Sequence, residues 1–145
     1  MWRPPQALRT PSTPARFYFA WIFSVHAHHA SKYALSIAGE YGAELTLLDV
    51  LEEFPRSTDL QSAIREAMEV LEQSIPDHER RGCEVESVMR VGKPYQQILQ
   101  YGLEAQTDMV IMGVRGKGVL DTALFGSTTY RVIQLGSCPV LAIPD

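Results

Sequence analysis

Cysteine is scarce: Cys83 and Cys138 are the only two in 145 residues. They fall in separate segments, without the paired spacing of a zinc site or a disulfide framework. Such usage suits a reducing compartment, and a cytoplasmic location is expected. Positive charge is short as well. Thirteen Lys and Arg against seventeen Asp and Glu give a formal net charge of -4, so no global field collects a polyanion and nucleic acid is not expected as a main partner. Long hydrophobic runs are missing. The longest, Phe17 to Val25 with one serine, is about half of the roughly 20 residues a membrane helix needs, so no transmembrane segment and no membrane partner are expected. No acid stands before Glu40, and Arg3, Arg9 and Arg16 precede the apolar run, which superficially resembles a targeting peptide. The run's aromatic and β-branched residues nevertheless suit a first strand, whose removal would take out the centre of a sheet.

Catalytic signatures are lacking too. The chain has no Gly-x-Ser-x-Gly elbow, no Gly-Lys-Ser/Thr phosphate loop and no cysteine with a placed histidine partner, so no catalytic residue is assigned and an enzyme is not the first expectation. What is present fits an ordinary globular domain. Apolar residues make up 46% and charged residues 21%, enough for one packed core. Residues 1–16 carry four prolines and three arginines without apolar period and are expected to be a flexible tail. Residues 17–145 are expected to be a single domain.

From Phe17 onward, strand-like runs alternate with helical patterns, the mark of parallel βαβ units. A first strand is predicted over Phe17 to Val25, then a helix from Ser31, as cap, to Tyr41, stopped by Gly42 and buried through Ala34, Leu35, Ala38 and Tyr41. A second strand follows over Ala43 to Val50. The 3.6-residue period of Leu60, Ile64, Ala67, Met68, Leu71 and Ile75 predicts a helix ended by Pro76. A third strand is expected over Glu84 to Val91, a helix opening at Pro94, a fourth strand over Met109 to Met112, a helix over Thr128 to Leu135 packed through Val132 and Ile133, and a fifth strand over Pro139 to Ile143. Five strands and four helices make an α/β, open, doubly wound parallel sheet with helices on both faces.

The informative stretch is Asp108-Met109-Val110-Ile111-Met112-Gly113-Val114-Arg115-Gly116, then nine residues, then Gly126-Ser127-Thr128. Gly113, at the carboxyl end of a buried strand, lets the chain turn and an oxyanion approach the main chain. Gly126, Ser127 and Thr128 open a helix, where unpaired amides and the positive dipole end favour phosphate and two hydroxyls can add hydrogen bonds. Arg115 and Lys117 bring positive charge to this loop, or are solvated surface.

With its Gly-x2-Gly-x9-Gly-Ser spacing between a strand and a helix, the chain resembles the nucleotide-binding branch of the universal stress protein family from about Ser31 to the end. Tyr41 to Leu48, Gly92-Lys93-Pro94 and Ser137 to Leu141 match that family as well. The resemblance implies an adenine nucleotide alpha hydrolase-like sheet of order 3-2-1-4-5, a homodimer paired through the fifth strand (Val140 to Ile143), and ATP, with Mg²⁺ as its companion ion, between strands one and four. It implies that Val50 touches adenine, that Met112 and Gly113 line the ribose and phosphate path, and that Val114, Gly116, Gly126, Ser127 and Thr128 bind phosphates. The expected function is that of an ATP-binding regulatory protein of the stress response.

Members of that family end strand one with Val-Asp, the aspartate addressing adenine; the aligned pair here is Val25-His26. A neutral imidazole offers one donor and one acceptor, so His26 could replace the carboxylate. The alternative is a nucleotide-free interaction dimer with a degenerate pocket. His26 and His28 lack a carboxylate or cysteine beside them, so no metal site is expected. A weak ATPase or nucleotidyl transferase is the third alternative, and its His-x-Gly-His turn would need glycine where His28 stands.

Overall fold

The computed structural model describes residues 15–20, 24–80, 82–114 and 126–144, with Ser24, Val25, His26, Gly126 and Ser127 described in backbone alone. These residues form β1 (Arg16–Ala20), α1 (Ser24–Tyr41), β2 (Glu44–Leu51), α2 (Leu60–Gln73), the single turn α3 (Asp77–Arg80), β3 (Val85–Val91), α4 (Pro94–Glu104), β4 (Met109–Val114), α5 (Gly126–Leu135) and β5 (Val140–Pro144). All pairings are parallel, and the sheet order is β3-β2-β1-β4-β5. Of the expected tail, residues 1–14 lie outside the described residues. Ala15, by contrast, is fully buried and Arg16 already belongs to β1.

β1 occupies the centre of the sheet, and its side chains alternate between two apolar layers. Phe17 and Phe19 join Ala27, Ala30, Ala34 and Leu71 of α1 and α2, while Tyr18 and Ala20 join Ile98, Tyr101 and Val132 of α4 and α5. A strand covered on both faces must be apolar throughout rather than alternating, which is why this segment reads as one unbroken run. Each buried aromatic or large aliphatic side chain in these layers contributes about 1.5–3 kcal/mol.

The first crossover differs from its sequence reading. β1 ends at Ala20 and α1 begins at Ser24, not Ser31. The signal lies in Ala27, Ala30, Ala34 and Ala38, all essentially buried; they recur at helical spacing and let the helix lie close on the sheet. Ser31 is consequently no cap. It sits buried inside the helix, where its hydroxyl donates back to the His28 carbonyl at 2.7 Å, the usual way a mid-helix serine satisfies itself. Tyr41 is 58% exposed rather than part of the buried stripe, because it falls on the last turn, where its ring meets Phe17 edge-on. The stop at Gly42 is as expected: with φ of 59°, its N-H donates to the Gly39 carbonyl and that of Ala43 to Ala38, closing the helix end.

Two further differences are local. α3 occupies a stretch read as a connection, and its Arg80 guanidinium donates to the carbonyls of Ile75 and Glu72, covering the open end of α2. Ile133 is 49% exposed while Val132 is buried, because neighbouring helical positions point about 100° apart.

Candidate nucleotide crevice

At the carboxyl ends of the strands, Ala20 stands between Leu48 of β2 and Met112 of β4. The chain leaves β1 toward β2 under α1 and leaves β4 toward β5 under α5, helices on opposite faces of the sheet. Such a reversal of strand order opens a crevice between neighbouring strand ends, the place where open α/β sheets take ligands.

Pleat alternation sorts the expected contacts. Val50 packs against the cluster that holds Met112 of β4, Val132 of α5 and Tyr95 of α4, so Val50 and Met112 share the face on which α5 lies. Met112 is buried among these residues, Val114 is 8% exposed at the end of β4, and Gly113 is half-buried opposite Ile143. Gly126 and Ser127 form the first turn of α5, and Thr128 is half-buried one residue on. The opening turn of any helix leaves amide N-H groups without intrahelical acceptors. Arg115 and Gly116, like Lys117, lie outside the described residues.

His26 is placed elsewhere than expected. The strand-one end that should present it is Ala20, and His26 belongs to the first turns of α1, with residues 21–23 between them outside the described residues. The alignment of Val25-His26 with a strand end is therefore incorrect. The continuous apolarity of Phe17 to Val25 concealed the boundary.

A basic group beside α5 was missed by the sequence reading. The Arg131 guanidinium stacks 4.5 Å from the centre of the Tyr95 ring, tying α5 to the first turn of α4. The Tyr95 phenol is held below its ordinary value, first by the Gln96 amide that donates to it at 3.1 Å, then by the charges of Arg131 and Lys93. Lys93 is the N-cap residue of α4, with no side-chain capping bond. A cation at the positive end of a helix opposes the dipole, an anomaly already legible in Gly92-Lys93-Pro94. Arg131 lies on the helix that follows β4, and Lys93 precedes the helix that follows β3.

The other face of the sheet offers a concavity of different character. Asp49, Glu53 and Glu66 line a pocket of about 340 Å³ walled by Leu51, Phe54 and Val70, whose carboxylates repel phosphate. Burial raises the Asp49 carboxyl above the usual carboxylate range, against the lowering by the Val50 amide, which donates to it at 2.9 Å. The folded chain thus holds this proton more tightly than the unfolded one, so ionised Asp49 weakens the fold at neutral pH and the penalty vanishes as pH falls below its unfolded value. Asp49→Asn is expected to raise Tm at about pH 7 and to match the parent near pH 3, where both side chains are neutral. Thermal melts at the two pH values measure it; an equal gain at both would contradict the assignment.

The chain matches the profile of the Universal stress protein family over residues 20–144. The universal stress protein MJ0531 of Methanocaldococcus jannaschii is 31% identical over 79% of this chain and 72% of its own. The solved structure of MJ0577 from the same organism is 27% identical, with TM-score 0.71 over 90% of this chain and 95% of that one. A universal stress protein from Archaeoglobus fulgidus, solved in complex with dAMP, shares the fold at 20% identity, with TM-score 0.60 over 92% of this chain and 99% of that one. With a family match that runs from the end of β1 to the end of β5, the chain belongs to the universal stress protein family.

Proposed function

We propose that the protein binds an adenine nucleotide, ATP before its shorter relatives, in the crevice between β1 and β4, and works as a non-catalytic regulator in the stress response. The observation that carries this reading is the position of α5: its first turn follows β4, on the face where Val50 and Met112 lie together. Adenine would rest near Val50, the ribose would pass over Met112 and Gly113, and the phosphates would meet the amides of Gly126, Ser127 and Thr128, with Val114, Arg115 and Gly116 along the loop. The fit is chemical as well as spatial. Ala20 presents a small side chain at the crevice floor, the helix start supplies donors, and Arg131 and Lys93 bias the neighbouring surface toward anions. The dAMP complex of the fold relative is a precedent for such a ligand in that protein.

Mg²⁺ would arrive with the phosphates, since among the described residues no group of three His, Cys, Asp or Glu could hold a metal. In this reading the protein is a cytoplasmic homodimer joined along β5, an edge strand whose Val140, Leu141 and Ala142 are only half-buried in the single chain. Among the described residues no helix is long and apolar enough to cross a membrane.

Calorimetric titration with ATP and Mg²⁺ tests the proposal, with saturable heat at one site per chain as the expected result and no heat with any adenine nucleotide as the result that overturns it. One observation favours the second reading, a nucleotide-free interaction dimer. The residues after β1 are Trp21, Ile22 and Phe23 in sequence, which offer a base no carboxylate.

A further inference from the structure

We propose that residues 1–14 dock in a groove at the amino-terminal edge of the sheet, between the end of α1 and the start of β3. The groove has a volume of about 350 Å³, with Gly39, Gly42, Gly82 and Cys83 among its lining residues and Glu44 and Glu84 at its sides. At each of the three glycines the space where a Cβ would stand is open, so a second backbone can come close.

Its electrostatics favour a cation. α1 ends here with Glu40 in its last turn and no basic residue to offset it, and the carboxyl end of a helix is its negative end. Arg16 reaches Glu44 at 3.6 Å, while among the described residues no cation pairs with Glu84. Residues 1–14 carry a complementary set: Arg3 and Arg9, no acid, and Trp2 and Leu8 for apolar contact.

Connectivity places them at hand. The Ala15 carbonyl accepts the Glu44 amide at 2.8 Å, so the residue that follows this segment is bonded to a residue of the groove's lining. Fourteen residues reach about 43 Å as polyproline II. Pro4, Pro5, Pro11 and Pro14 restrict the free segment and so lower the entropy lost on docking.

Cys83 reports on the groove. Its thiol lines the cavity and is half-exposed among the described residues, while Cys138 lies against the α4/α5 core and serves as reference. Iodoacetamide labelling at mildly alkaline pH, followed by peptide mass mapping, is expected to modify Cys83 about tenfold more slowly in the full chain than in a chain lacking residues 1–14. The Cys138 rate should be the same in both. A synthetic peptide of residues 1–14 added to the shortened chain should restore protection. Should the shortened chain fail to fold, Arg3→Glu with Arg9→Glu in the full chain should expose Cys83 to the same degree. Equal Cys83 rates in all these forms overturn the proposal. So does protection that persists without residues 1–14 and grows with protein concentration, which would assign the groove to a second copy.

Discussion

Shortening Tyr18 to alanine is expected to cost about 3–5 kcal/mol of folding stability, a urea midpoint lower by about 2 M for a domain of this size. Tyr18 is 2% exposed at the middle of the central strand, its ring set edge-on to Tyr101 at 5.4 Å, and its hydroxyl donates to the Ile98 carbonyl at 3.0 Å. Alanine would leave a void beneath α4, where Gly102, beside the Tyr18 hydroxyl, has no side chain to enter it. Tyr18→Phe separates the contributions. It keeps the ring and removes one hydrogen bond, for about 1 kcal/mol.

The alkaline limb gives an independent check. Burial first, then the nearby Cys138 and Tyr101, push the Tyr18 phenol well above its ordinary 10.0. Below that value both folded and unfolded chains keep the proton; above it only the unfolded chain releases it, so stability declines as pH rises. Urea unfolding repeated up to about pH 11 should show a smaller decline in Tyr18→Phe than in the parent. Parallel declines would mean that Tyr18 is not the sealed phenol described.

Gly126→Val is expected to weaken ATP binding by at least about 100-fold, the equivalent of losing one or two charge-assisted hydrogen bonds of about 1.5–3 kcal/mol each. A branched Cβ at the start of α5 stands over the amides that the proposed phosphates need, while valine at a helix start costs the fold little. Ser127→Ala removes a hydroxyl and leaves the amides in place, so a loss of about tenfold is expected. Calorimetry on both variants, with far-UV circular dichroism to confirm that α5 persists, decides the matter. Unchanged affinity in a folded Gly126→Val protein would place the nucleotide elsewhere.

Most of the sheet could be read from the chain because parallel strands buried on both faces are written as short apolar blocks. β2, β4 and β5 fall within two residues of their expected limits; of the periodic face expected for α2, Leu71 is buried, while Leu60 at its first turn is exposed and Ala63, outside that period, is buried instead. The β1-α1 boundary could not be read this way. Trp21, Ile22, Phe23 and Val25 continue the apolar run of β1, so hydrophobicity gives no mark of where strand yields to helix; only the alanine spacing downstream does. The same misreading put His26 at a strand end. Of the candidate crevice, the positions of Val50, Met112 and the start of α5 were legible, because each lies near the end of a recognisable element. The Tyr95 and Arg131 stack was not, because its partners are far apart in sequence and meet only when α4 packs on α5.

The central place of β1 matters during synthesis. Its second neighbour β4 comes late: the Arg16 amide donates to the Asp108 carboxylate at 3.0 Å, across 92 residues. A nascent chain that has emerged only as far as α4 can pair β1 with β2 and β2 with β3, yet it leaves the other side of β1 with unpaired amides and carbonyls. That raw margin invites pairing with neighbouring nascent chains, and it closes once the ribosome has released β4.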